Sequence, residues 1–309
     1  MTSTTAVECL IVGGGPAGLT AATYLGRFRR SATLVDSGSS RLKQIPISRN
    51  IPGFPDGIIG GDLHARMRQQ AGKFGARLLE GEITRLACDD KGFIASGTCG
   101  EFRANTVLLA TGVNVAAPAI DDLDHAVQKG LIRYCPICDG FEARGRRVAV
   151  LGGRPHSLDE AHFLRTYVED LTFVAEAGGE PPSASDIARA RRAGIKVEET
   201  ACTGLRTTGE KIEVALSVGP PRQFDIVYPC LGVAPRSELA RSLGARVSEK
   251  GELLTDKHQQ TNVPGLFAAG DVLRGLDQVA SACGQAAIAA TAMHNMLREQ
   301  DAGGEGPGP

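Results

Sequence analysis

The chain has 309 residues, 42% hydrophobic and 22% charged, and its 34 Lys and Arg against 35 Asp and Glu leave a formal net charge of -1. That length favours two domains, each able to bury a core. The even charge argues against a nucleic-acid binder or a basic membrane-surface protein, both of which carry a basic excess. No apolar run reaches the roughly 18 residues of a spanning helix, and Met1 to Glu8 lacks the positive and apolar regions of a secretory signal. Eight cysteines without an export signal fit a reducing cytoplasm in which one working pair cycles.

Val7 to Val12 reads as a buried strand running into Gly13-Gly14-Gly15-Pro16-Ala17-Gly18, with a helical run from Leu19 to Phe28 behind it. This is the dinucleotide fingerprint in the context it requires. Gly13 makes the tight turn, Gly15 lets backbone approach a pyrophosphate, and Gly18 allows close packing of helix on strand. The positive end of the helix then faces the phosphates. A second strand, Ala32 to Val35, ends at Asp36, placed to accept from a ribose 2′-hydroxyl.

A Pro- and Gly-rich loop over Arg49 to Gly57 leads to an amphipathic helix from Gly60 to Phe74. Strands are expected at Leu78 to Leu86 and Gly92 to Ala95, then a buried one from Thr106 to Ala110 ending in Thr111-Gly112. Next comes Cys135-Pro136-Ile137-Cys138-Asp139-Gly140. Two thiols separated by two residues close into a small disulfide ring, and a nearby charge or helix N-terminus lowers one thiol pKa enough to populate the thiolate. The competing reading is half of a zinc site. It needs two further ligands at similar spacing, and the chain has neither a second C-x-x-C nor a histidine pair one helical turn apart, so no metal is expected.

A second strand-turn-helix unit follows: Arg147 to Leu151, then Gly152-Gly153-Arg154-Pro155-His156-Ser157, then a helix through Val168. Two such units predict an α/β chain of two Rossmann-like, three-layer ββα domains, the second inserted in the first. Residues 1–120 and 245–300 form the first domain and 121–244 the insert, with 301–309 a Gly/Pro/Glu-rich disordered tail. A strand at Phe224 to Leu231, the segment Val263 to Val272 and a helix from Gln285 to Leu297 complete the pattern.

The order of these motifs, with Asn50-Ile51-Pro52-Gly53-Phe54-Pro55 and Phe267-Ala268-Ala269-Gly270-Asp271-Val272, resembles the low-molecular-weight thioredoxin reductase family over essentially the whole chain. The resemblance implies FAD as cofactor, a homodimer, and hinges near Asp121 to Asp124 and Ser242 to Gly244. It implies FAD contacts from Gly13, Gly14, Gly15, Pro16, Ala17, Gly18, Asp36, Asn50, Ala110, Thr111, Gly112, Gly270, Asp271, Gln278 and Val279, with Gly270 and Asp271 at the ribityl-phosphate part. Asp139 would serve Cys135 and Cys138, with Cys138 toward the flavin and Cys135 toward the partner. Two residue-level alternatives stay open: Asp139 as an N-cap of the next turn, and Ala280 to Ala292 as merely a tightly packed small-residue helix.

The second nucleotide unit departs from the family. Arg154 stands where Gly15 stands in the first unit, Pro155 removes an N–H close by, and Ser157 replaces Gly18. NADPH-dependent members carry a His-Arg-Arg cluster after the next strand; here Leu171 to Val174 runs into Ala175-Glu176-Ala177-Gly178-Gly179-Glu180. Carboxylates repel a 2′-phosphate of about -1.5 to -2 charges. The resemblance is therefore strongest to the pyridine-nucleotide-independent branch, fed by ferredoxin or another electron carrier and acting on a thioredoxin-like protein or a small-molecule disulfide or dithiol. The alternatives are a dithiol oxidase using dioxygen, a reductase with a re-tuned NADH or NADPH site, and a flavin-dithiol redox sensor.

Overall fold

The structure is a computed structural model that describes residues 4–154 and 157–303; Pro155 and His156, read above as part of the second turn, lie outside the described residues. Two compact units emerge. One holds the described residues up to Lys43, Gly61–Asn114 and those from Ala234 on; the other holds Gln44–Gly60 and Val115–Val233.

The first unit is built on a seven-stranded sheet. Thr5–Val12 lies at its centre, parallel to Ala32–Asp36 on one side and to Gly100–Leu109 on the other. The long strand Gly100–Leu109 divides its free edge, pairing antiparallel with Gly92–Gly97 along its first half and parallel with Leu266–Ala268 along its second. The two faces follow from side-chain alternation. Cys9 and Ile11 pack with the helices Pro16–Arg27 and Val279–Gly303, while Leu10 and Val12 pack with Phe93, Phe102 and Leu253 on the other face. Ala282, Ala286, Ala289 and Ala290 are buried at the first face, so the helix Val279–Gly303 sits close against its neighbours. Its Met293 and Leu297 add roughly 1.5–3 kcal/mol each in buried apolar surface.

The second unit repeats the plan at smaller scale. Arg147–Gly152 pairs in parallel with Asp170–Ala175 and Ile226–Cys230 in a four-stranded sheet, beside a three-stranded antiparallel sheet of Cys202–Thr208, Lys211–Leu216 and Arg222–Phe224. The two-layered sheets with their helices are the expected ββα arrangement.

Several boundaries differ from the sequence expectation. The stretch Leu78 to Leu86 is two strands: Arg77–Glu80 pairs with Ala32–Asp36, and Ile83–Asp89 pairs with Gly92–Gly97, the chain turning at Gly81 with φ +154°. Phe224 to Leu231 is also divided. Arg222–Phe224 stays with the antiparallel sheet, Asp225 donates its N–H to the Arg147 carbonyl, and Ile226–Cys230 joins the parallel sheet. The helix Ser157–Leu164 stops short of Val168, whose carbonyl oxygen accepts from the Arg165 guanidinium. The last helix starts at Val279 and runs through Asp301, which pairs with Arg30 at 2.8 Å, so the expected tail begins inside a helix; residues 304–309 lie outside the described residues.

The units change at 114/115 and 233/234, against expected breaks at 120/121 and 244/245. The reason is packing: Ala240 and Ala245 belong to the core of the first unit, and Ser242 Oγ reaches the Leu86 carbonyl. Ser242 to Gly244, expected as a hinge, lies within the first unit.

Candidate active site

In the first unit, four parallel strands end at one edge of the sheet, and each delivers part of the predicted cofactor set. Thr5–Val12 leads into Gly13, Ala32–Asp36 ends on Asp36, Gly100–Leu109 precedes Ala110-Thr111-Gly112, and Leu266–Ala268 precedes Gly270 and Asp271. Ligands of such sheets bind beyond the carboxyl ends of the strands.

Gly13 has φ +111°, and a side chain there would run into the Ala110 carbonyl. A Cβ on Gly14 would meet the Asp36 carboxyl group, and one on Gly18 the Gly13 carbonyl, so neither position admits another residue without movement. Gly15 is different. With φ -81° it tolerates any residue, and a Cβ there would have only Ser40 Oγ nearby, at 3.6 Å. That hydroxyl is buried and has no hydrogen-bond partner. The helix Pro16–Arg27 begins here with no side-chain cap and no acidic residue in its first turn. An open glycine, an orphaned hydroxyl and an uncapped helix N-terminus together fit a pyrophosphate.

Asp36 is 3% exposed, accepting from Gly38 N–H at 2.9 Å and from Arg68 at 3.1 Å. Its two oxygens retain lone pairs for a ribose hydroxyl. His64 is a contributor the sequence did not reveal. Buried 50 positions away, it donates from Nε2 to the Gly14 carbonyl at 2.9 Å, and burial lowers its pKa against the opposing effect of that hydrogen bond.

Thr111 Oγ1 donates to the Arg236 carbonyl at 2.7 Å, fixing the end of the third strand. Gly270 at φ +84° donates its N–H to Gln285 Oε1 at 2.9 Å. Burial raises the pKa of the neighbouring Asp271, opposed by Arg41 at 3.2 Å. Gln278 directly precedes the helix Val279–Gly303, and its carbonyl accepts from Ala282 N–H; the first turn of this helix carries no acidic residue either. Among the predicted cofactor residues, Asn50 alone falls in the other unit, where it accepts from Ser48 Oγ at 3.0 Å.

The dithiol lies in the second unit, and Cys135 and Cys138 are joined in a disulfide. The pair opens the short helix Pro136–Asp139, with Cys135 as its N-cap in extended conformation and Pro136 in the first position, where its missing N–H costs nothing. Cys138 N–H points at both the Cys135 carbonyl, at 2.9 Å, and Cys135 Sγ, at 3.2 Å. Asp139 does not cap the next turn, whose N-cap is Gly140 without a side-chain bond. Its carboxyl group accepts from the Tyr228 hydroxyl at 2.6 Å and faces Arg133 at 3.9 Å. Burial raises its pKa, with Tyr228 and Arg133 opposing. Beside the disulfide, Ile137 and Phe141 are 50% and 56% exposed, and Arg144 lies 3.5 Å over the Phe141 ring. The six other cysteines are free and, among the described residues, no group of His, Cys, Asp and Glu is placed to hold a metal.

In the second glycine turn, the described side chains bond to the loop itself. Ser157 Oγ accepts from Arg154 N–H at 3.2 Å and donates to the Cys230 carbonyl at 3.0 Å. The Arg154 guanidinium bends back to the Leu231 carbonyl at 3.1 Å and covers Gly232. Glu176 and Glu180 donate their N–H groups to the carbonyls of Gly152 and Gly153, at 2.7 and 3.1 Å, which brings the Glu176 carboxylate against Gly153. Two more carboxylates, Asp159 and Glu160, occupy the first turn of the helix Ser157–Leu164.

Fold, glycine turn and dithiol define a flavin-dependent oxidoreductase acting on disulfides. The chain belongs to the pyridine nucleotide-disulphide oxidoreductase family, whose model matches residues 7–286. Among its relatives, the thioredoxin reductase of Listeria innocua is 30% identical over 300 residues, 91% of each chain. The thioredoxin reductase of Streptococcus pyogenes superimposes with a TM-score of 0.87 at 25% identity, covering 96% of this chain and all of that one. The structure of HlmI also gives 0.87, at 27% identity over 98% and 96% of the two chains. No helix among the described residues is long and apolar enough to cross a membrane.

Proposed function

We propose that the protein moves two electrons between FAD and the Cys135–Cys138 disulfide, exchanges them with an external disulfide or dithiol, and does so without NADPH. The observation that supports the choice of donor is the second turn, where Ser157 Oγ occupies the Arg154 N–H, the Arg154 side chain lies back along the loop on the Leu231 carbonyl, and Asp159 and Glu160 stand in the first turn of the following helix. A ferredoxin-like or other electron carrier then supplies the reducing equivalents. Assembly as a cytoplasmic homodimer belongs to the same reading.

Gly13 to Gly18 with Ser40 would hold the FAD pyrophosphate and Asp36 a ribose. Gly270 and Asp271 would hold the ribityl-phosphate part, Gln278 and Val279 the flavin by way of a helix N-terminus, and Ala110 to Gly112 with Asn50 the remaining contacts. Bound FAD supplies reversible two-electron transfer. The chain's own residues manage the sulfur chemistry. Two electrons and one proton break the S–S bond and leave one thiol and one thiolate. Cys138 N–H, aimed at Cys135 Sγ, stabilises the thiolate on Cys135, which makes Cys135 the exchanging sulfur. Asp139, with its pKa raised by burial, supplies and recovers the proton. Ile137 and Phe141 give a partner, thioredoxin-like or small, an apolar surface beside that sulfur.

FAD-loaded protein mixed anaerobically with a simple dithiol tests this reading. The flavin absorbance is expected to bleach, and Cys135→Ser to show a long-wavelength charge-transfer band that Cys138→Ser lacks. Bleaching at the normal rate with both cysteines replaced would remove the pair from the mechanism.

A further inference from the structure

The strand Ile226–Cys230 is buried at every position, and in its middle stands a tyrosine. Tyr228 is 1% exposed, and a phenol so placed has lost its hydration at a cost that an acceptor for its O–H must offset. The acceptor is Asp139 Oδ1, 89 positions earlier in the chain, at 2.6 Å. The other carboxylate oxygen faces Arg133 Nε at 3.9 Å. Arg133 is itself fixed, donating to the carbonyls of Gly130 at 3.0 Å and of Asp139 at 3.1 Å. The acid directly behind Cys138 is therefore hydrogen-bonded on one oxygen from a strand and faced on the other by a cation of the segment before the dithiol.

We propose that Tyr228 is a positioning residue of the dithiol site, holding the Asp139 carboxyl group in the orientation from which it exchanges a proton with the Cys135–Cys138 pair. The inference rests on Asp139 being the acid that serves the dithiol. When an external dithiol, entering as its monothiolate, reduces the pair, its own two sulfurs join, two electrons enter the S–S bond, and one sulfur of the pair is left as thiolate and the other as thiol with the reagent's remaining proton. When the pair passes two electrons onward to bound FAD, its disulfide re-forms, and the ionised Asp139 carboxylate takes the thiol proton and passes it on toward the reduced flavin. Tyr228 gains and loses nothing in this sequence, and it acts only through the carboxylate.

Its contribution has a definite sign. Burial raises the Asp139 pKa, the Tyr228 hydrogen bond lowers it, Arg133 lowers it further, and Glu142 raises it. Tyr228→Phe keeps the ring in the core formed with Val148, Leu164 and Phe173 but removes the donor, so burial acts with less opposition and the carboxyl group holds its proton to higher pH. Flavin bleaching by excess dithiothreitol, expressed per reagent thiolate, requires Asp139 ionised and falls on the acid side.

The test is the pH profile of that bleaching in FAD-loaded wild type, Tyr228→Phe, Asp139→Asn and the double variant. The acid limb is expected to move up by about one pH unit in Tyr228→Phe and to vanish in both variants lacking Asp139. Fluorotyrosine placed at 228, a stronger donor of nearly the same shape, should move the limb down and does not depend on the phenylalanine variant folding. A limb that stays in place in Tyr228→Phe or fluorotyrosine protein, while Asp139→Asn abolishes it, overturns the positioning role. A profile unchanged by Asp139→Asn overturns the underlying assignment of the acid.

Discussion

The two glycine turns of this chain begin alike and end as opposites. Both follow a parallel strand and precede a helix, yet the first leaves Gly15 facing open space with an unpartnered Ser40 hydroxyl beside it, while in the second Arg154 bonds through its N–H to Ser157 Oγ and through its guanidinium to the Leu231 carbonyl. Charge sharpens the contrast. The first helix has no acid in its opening turn, whereas the second has Asp159 and Glu160 there; each turn has one carboxylate beside its second glycine, Asp36 at Gly14 and Glu176 at Gly153. Carboxylates at a helix N-terminus satisfy the dipole that an anionic ligand would otherwise use.

The largest effect should come from Gly15→Asp. Open space and an ordinary φ allow the chain to fold with it, so loss of flavin reports on the ligand alone. Each charge-assisted contact is worth about 1.5–3 kcal/mol, and with repulsion added the protein should purify colourless. A normal flavin-to-protein absorbance ratio would break the comparison at its first member.

The second turn should reopen only under combined change. Arg154→Gly together with His-Arg-Arg in place of Ala175-Glu176-Ala177 should raise NADPH affinity by roughly 10- to 100-fold per new contact, read by calorimetry. Arg154→Gly alone should gain little, because Asp159, Glu160 and Glu176 remain. A large gain from the single change would show that the arginine, not the acids, closes the site.

Exchanging the residues that distinguish the helix starts gives a smaller, structural test. Ser157→Gly removes two hydrogen bonds and should cost about 1–3 kcal/mol in chemical denaturation of the second unit. The cost should not depend on FAD. A loss of flavin in this variant would contradict the separate roles of the two turns.

The smallest expected effect is on stability against pH at Asp139. Its raised pKa means the folded chain holds this proton more tightly than the unfolded one. The associated stability is full below the ordinary carboxylate pKa of about 3.9 and is lost as pH rises through the raised value. Asp139→Asn should flatten that decline in denaturation midpoints, and an unchanged slope would place the titration elsewhere.

The first turn was legible in the sequence because its logic is local: strand, glycines, helix and the acid ending the next strand all lie between Val7 and Asp36. The breaks at Gly81 and Asp225 were not, since apolar residues resume within two positions of each and the change of partner strand is a tertiary event. The grouping of Gln44–Gly60 with the second unit was equally hidden, because it rests on contacts distant in sequence. His64 and Tyr228 gave one faint signal each, a polar ring in an apolar setting. Their partners, Gly14 and Asp139, lie 50 and 89 positions away. Arg154 was read as an obstruction, and the structure adds that its guanidinium is held on the Leu231 carbonyl.

The central claim is that this is a flavin-dithiol oxidoreductase whose second nucleotide site is closed, and anaerobic stopped-flow of the FAD-loaded protein tests it most directly. With dithiothreitol the flavin should bleach in a reaction that needs both Cys135 and Cys138, while NADPH and NADH should leave the spectrum essentially unchanged over the same interval. Rapid, saturable bleaching by NADPH would contradict the account, showing that Arg154 and its neighbours bind the nucleotide they are held here to exclude.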